Sequence, residues 1–150
     1  MAEDFSIDAP AVALVAATAK TLAMITTPST GDCDIIDATI GCDSTSAGTL
    51  KVELISWASN GGTATAYTLK KVNAASYART AFSGGFIAFT AEPTGAATVQ
   101  RTWMFVLPLG GFELQLPLGR ETHIPVSSFW GFRFTSSVAA NGFLSAQVEE

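Results

Sequence analysis

The chain has 150 residues, of which 48% are hydrophobic and only 14% charged, and its formal net charge is −5. Typical soluble domains carry roughly 25% charged residues. The 8 Lys and Arg residues are scattered, with no cluster to displace counterions, so no direct nucleic-acid partner is expected.

One domain with a sizeable core fits this length. The thin supply of charge points to surface hidden by other subunits, because obligate interfaces resemble a core cut in half. The chain opens on acidic MAEDFSID, with no Lys or Arg before Lys20, unlike the basic start of a secretory leader. Asp8–Ile25 is Ala-rich and apolar, but Thr18, Lys20 and Thr21 interrupt it before the roughly 20 apolar residues of a membrane span. No membrane partner is expected. Its alanines favour helix, its Val and Thr residues do not, and the alternation of Val12, Leu14 and Ala16 suits an extended chain. Residues 1–20 are therefore expected to form an extended N-terminal arm, and residues 21–150 a single domain.

Strand patterns follow in part of Ala19–Thr27, in Asp34–Ile40 and in Thr49–Ser59. The Asn60-Gly61-Gly62 turn should join this last run to Thr63–Val72 as a hairpin. Phe86–Glu92, Val99–Leu107, Phe112–Leu118, Gly131–Ser137 and Gly142–Glu149 complete the set. Gly, Pro and Asn clusters between the runs mark turns. Short strands at this spacing predict an all-β, single-domain β-sandwich, jelly-roll-like, of about eight strands.

The inventory of reactive groups is short. Cys33 and Cys42 would point to opposite faces of one unbroken strand and are expected as free, packed thiols, consistent with folding in a reducing cytoplasm. Two Cys and one His fall short of a zinc site. The spacing of Asp32, Asp34, Asp37 and Asp43 does not match an EF-hand loop. No metal or other cofactor is expected. Any Ser-His-Asp triad would have to use His123, the sole histidine, and the chain lacks a G-x-S-x-G elbow. The chain is not expected to be an enzyme.

The stretch GGFELQLPLGRETHIPV (Gly110–Val126) is the richest in signals. Gly110-Gly111 should turn the chain. Phe112, Leu114, Leu116 and Leu118 should then share one face, with Glu113 and Gln115 on the other. Pro117 places the strand at an edge or at a bulge, and Gly119 supplies a second bend. Arg120-Glu121 should open the next strand, with the planar fork of Arg120 free to hold a carboxylate across a subunit boundary. Gly111, Phe112, Pro117, Gly119, Arg120 and Glu121, with Trp130 further on, are the candidate corner and interface residues.

The order of segments resembles the head decoration, or capsid cement, proteins of tailed bacteriophages. The resemblance rests on APAVALVAATAKTL, on VELISW and ATAYTLKKVN, on TAEPT (Thr90–Thr94), on WGFRFTSS and QVEE, and most of all on GGF-x-x-x-x-PLGRE (Gly110–Glu121). Trp130 and the two cysteines stand outside the shared pattern. The resemblance implies a small β protein, folded in the bacterial host cytoplasm, that binds the outside of an assembled phage head. It implies the major capsid protein as partner and self-association, expected as a homotrimer matching the local three-fold axes of a shell. The alternative expectation is a receptor- or carbohydrate-binding β-sandwich module of a phage tail or surface, using Trp57, Trp103 and Trp130 as platforms.

Overall fold

A computed structural model describes residues 3–72, 81, 83–117 and 119–150. Two antiparallel sheets pack face to face. The first holds β1 (Asp4–Leu14), β3 (Cys33–Asp43), β6 (Lys70–Lys71), β9 (Leu109–Gln115), β10 (Thr122–Ile124) and β12 (Ala140–Glu149). The second holds β2 (Ala19–Thr26), β4 (Gly48–Trp57), β5 (Thr63–Tyr67), β7 (Gly84–Ala91), β8 (Ala97–Leu107) and β11 (Phe129–Ser136). The first is ordered β10-β3-β12-β1-β6, and the second β5-β7-β2-β11-β4-β8. β9 also pairs with β3, through Asp37–Cys42, while β10 pairs with Cys33–Ile35. β12 takes the other side of β3, so β9 and β10 lie end to end along one edge.

This is a jelly roll. β9/β10, β3, β12 and β1 face β2, β11, β4 and β8, the double Greek key of that architecture. The expected all-β sandwich is present, with the eight-strand frame intact. Twelve strands appear among the described residues because β5, β6 and β7 are inserted between β4 and β8, and because one frame strand is broken into β9 and β10.

Three local expectations are corrected. Residues 4–14 are extended, but they are not a free arm. They form β1, paired with β12 from Asp4↔Glu149 to Leu14↔Ala140 and with β6 at Phe5 and Ser6. The cause is the alternation of Phe5, Ile7 and Ala9, all buried in the core. The expected hairpin across Asn60-Gly61-Gly62 does not form. β4 is occupied on both sides by β11 and β8, and β5 crosses to the far edge to pair with β7. Gly110-Gly111 is not the turn. The chain changes sheets at Pro108, after a cis Leu107-Pro108 peptide. The two glycines lie within β9, at a register shift against β3 that reads as a β-bulge.

The inner faces meet over Phe5, Ile7, Leu22, Ile35, Ile40, Leu50, Val52, Leu54, Phe132, Phe134, Leu144 and Val148. Cys33 and Cys42 both belong to this core and are free. They share a face because Ile36 is an extra residue against β12, between Ile35↔Val148 and Asp37↔Gln147. That bulge restores the alternation that odd spacing would break. Burial pushes the Cys33 thiol up to about 12, so it is inert as a nucleophile at neutral pH.

A smaller apolar cluster of Met24, Ile55, Trp57 and Phe89 lies on the opposite face of the second sheet. The strand carrying Phe89 is pinned there by Glu92 of the TAEPT segment. The Glu92 carboxylate accepts hydrogen bonds from the Thr21 N–H at 3.0 and 2.9 Å and from the Thr21 hydroxyl at 2.5 Å. Thr21 borders the β2 bulge, where the register against β11 shifts.

Candidate functional site

β8 and β9 form an open edge of the sandwich. β8 closes one side of the second sheet, and β9 closes the same side of the first. Their inner faces continue the core, with Trp103 opposite Val52, Phe105 opposite Leu50 and Phe112 opposite Ile40. Among the described residues no further strand covers them laterally. Phe105 and Phe112 meet across the opening with ring centroids 5.1 Å apart and planes tilted by 53°, a favoured aromatic geometry. Phe112 nevertheless remains 41% exposed. Arg101 also bridges the two sheets, its Nη2 donating to the Arg120 carbonyl at 3.4 Å.

The outward face of β8 is more unusual. Met104 and Val106 stand opposite Lys51 and Thr49 on the side away from the core. They are 62% and 77% exposed, and Val99 is 46% exposed. The run Trp103-Met104-Phe105-Val106-Leu107 is apolar at every position, the pattern of a strand buried on both faces. Here the monomer covers one face at most. β8 is also an edge strand of 11 residues with no strand on its free side among the described residues, yet it contains no Pro or Lys to block pairing with another chain.

Next to this apolar row lies a closed ionic group. Glu53, 6% exposed, accepts from Arg133 Nε at 3.2 Å and Nη2 at 3.0 Å. Lys51 Nζ lies 3.1 Å from its other oxygen. Burial raises the Glu53 pKa, but the hydrogen bonds and charges of Lys51 and Arg133 outweigh it and leave the carboxyl below its ordinary 4.5. A folded-state pKa below the unfolded one stabilises the fold at neutral pH, and that contribution is lost as pH falls through the folded value. Glu53→Gln should therefore cost about 1–3 kcal/mol at pH 7 and less in acid. Urea unfolding at the two pH values measures the difference.

The corner between β9 and β10 holds four of the seven residues singled out in the sequence, Pro117, Gly119, Arg120 and Glu121, while Gly111 and Phe112 lie within β9. Gly111 sits in β9 with open space around its Cα. Phe112 is part of the aromatic contact. Pro117 follows the end of β9, and its carbonyl accepts the Arg120 N–H at 2.8 Å. That bond closes a turn in which Gly119 has φ +79°, a backbone state that glycine adopts freely. Pro117 thus marks a strand break on an edge, as its missing N–H implied. Arg120 is exposed, and its guanidinium makes no hydrogen bond or ion pair among the described residues. Glu121 is half-buried just before β10. Leu118 lies outside the described residues. Trp130 is not part of this corner. It sits on β11 opposite Ser56, at the loop end of the sandwich.

His123 faces outward on β10. Its Nδ1 lies 2.9 Å from Asp34 and its Nε2 3.5 Å from Asp32, beside Glu121, Glu149 and Glu150 in a shallow hollow. No nucleophile lies against the ring among the described contacts, and no grouping of His, Cys, Asp and Glu among the described residues has metal-site geometry. His123 faces Asp34, its cross-strand neighbour in the ladder that joins β10 to β3. Sequence reasoning missed Val99, Met104 and Val106. The signal was present in the loss of alternation in TWMFVL.

No family model matches the chain, and no curated protein matches it.

Proposed function

We propose that the protein is a structural component of a phage virion. In this reading it assembles with copies of itself, as a trimer, and binds the exterior of the assembled head, where it bridges copies of the major capsid protein. The observation that carries the reading is β8, a strand with apolar residues on both faces and a free edge, on a chain with little charge. Such a strand is finished only by another subunit. The jelly-roll architecture, which recurs in viral shell proteins, and the GGF-x-x-x-x-PLGRE stretch at the neighbouring corner add support. A protein that binds the assembled shell and not its free subunits stabilises the shell by mass action. Arg120, exposed and with no side-chain partner among the described residues, is suited to a carboxylate on a neighbouring molecule.

The experiment mixes the purified protein with assembled shells of the same phage lacking it, and separately with free capsid subunits. Co-sedimentation with shells alone, and shells that then resist heat better, is the expected result. Failure to bind shells would sink the virion reading. Light scattering that gives a monomer at micromolar concentration would sink the trimer.

A further inference from the structure

A second feature lies at the loop end of the sandwich, away from the corner residues. Trp130 on β11 is opposite Ser56 on β4, and Ser56 is opposite Thr98 on β8. The three side chains therefore form a row across adjacent strands on one face. Along β4 the same face carries Leu50, Val52 and Leu54, all buried in the core. At Ser56 the apolar pattern gives way to a hydroxyl, and the row turns from core into the wall of a pocket of about 420 Å³. That volume is in the range of small-molecule sites.

The opposite lip is the turn of Pro125, Ser127 and Ser128. Ser127 holds φ at +55°, a strained state for a residue with a Cβ. It is kept there by its N–H donating to the Pro28 carbonyl at 3.0 Å. The Ser128 N–H donates to Thr27 Oγ1 at 3.0 Å, which fixes the lip to the end of β2. Gln100 Nε2 donates to Ser56 Oγ at 2.9 Å, leaving the Ser56 hydrogen available to the pocket. Among the described residues no acidic or basic side chain lines the site.

We propose that this pocket binds a neutral sugar ring, with Trp130 against the apolar face of the ring and Ser56, Thr98, Ser127 and Ser128 bonding its hydroxyls. A Ser or Thr hydroxyl both donates and accepts, which matches a ligand made of the same groups; Ser128, whose hydroxyl donates to the Val126 carbonyl at 3.3 Å, serves as an acceptor. An indole offers a broad apolar surface with a polar edge. A charged ligand would lose solvation here without meeting an opposite charge, so the uncharged class is selected. Thr98 lies at the start of β8, at the far end of that strand from Met104 and Val106, and the inference does not depend on the virion reading.

The test titrates the intact protein with neutral hexoses, N-acetylhexosamines and their disaccharides, and with sialylated and phosphorylated sugars, while following tryptophan fluorescence. A saturable change with at least one neutral sugar, and none with the acidic ones, is expected. Trp130→Ala should weaken it at least about tenfold, in line with the loss of an aromatic anchor. Thr98→Val, which changes no volume in the core, should weaken it while leaving the unfolding midpoint in place, so a folding defect cannot mimic the result. Asn141→Ala, at the other end of the sandwich, should bind as wild type. No response to any neutral sugar, a response to acidic sugars alone, or binding unchanged in both pocket variants would each overturn the proposal.

Discussion

In the proposed assembly, placing two carboxylates on the outward face of β8, as Met104→Glu with Val106→Glu, should leave folded monomers. Both side chains point away from the core and are mostly exposed, so within one chain their loss removes little packing. Substitutions at such positions usually change stability by less than about 0.5 kcal/mol. Lys51 stands opposite Met104, and a Glu there gains a cross-strand partner of opposite charge. Between subunits the balance reverses. An unpaired charge in an apolar contact costs several kcal/mol, and each 1.4 kcal/mol is tenfold in association. Two such charges should weaken association by more than about a thousandfold. Light scattering should report the mass of one chain, with an unfolding midpoint near that of wild type. An unchanged oligomer mass would remove this face from the interface.

Deleting residues 1–17 should abolish folding. Had these residues been a free arm, the deletion would have left an intact sandwich with weaker contacts. As β1 they lie between β12 and β6, and Phe5, Ile7 and Leu14 are almost fully buried. Burial of each large apolar side chain is worth about 1.5–3 kcal/mol. The backbone ladder to β12 would be left open along nearly the whole length of that strand. The combined loss is comparable with the about 5–15 kcal/mol that holds a typical domain together. The truncated chain should be insoluble, or lack a cooperative thermal transition. A folded truncation product with native circular dichroism would show that β1 is dispensable.

The two predictions mark where the sequence was readable and where it was not. Alternation along Leu50, Val52 and Leu54 was legible, and β4 buries that row in the core, while the runs Gly131–Ser137 and Gly142–Glu149 match β11 and β12 to within two residues at each end. β1 was obscured because its acidic residues sit among the apolar ones. Asp8, for example, is held by hydrogen bonds from Ser145 at 2.7 Å and Tyr67 at 3.1 Å, contacts made far along the chain. Pairing partners were beyond local reading as well. The Asn-Gly-Gly turn has the chemistry of a hairpin, yet tertiary competition for the edges of β4 decided the outcome. The corner at Pro117 and Gly119 was legible because a missing N–H and a positive φ are local constraints. The open face of β8 needed the fold, since a continuous apolar run does not say which of its faces remains bare.

The pairing of β1 with β12 has a consequence for how the molecule comes into being. β1 and β12 are far apart along the chain, yet Glu3 and Glu150 exchange backbone hydrogen bonds at 3.2 and 3.0 Å. Sheets that depend on such distant partners close late. β1 therefore stays unfinished, with Phe5 and Ile7 unburied, until β12 is in place. A chain cut before β12 keeps those side chains open to aggregation.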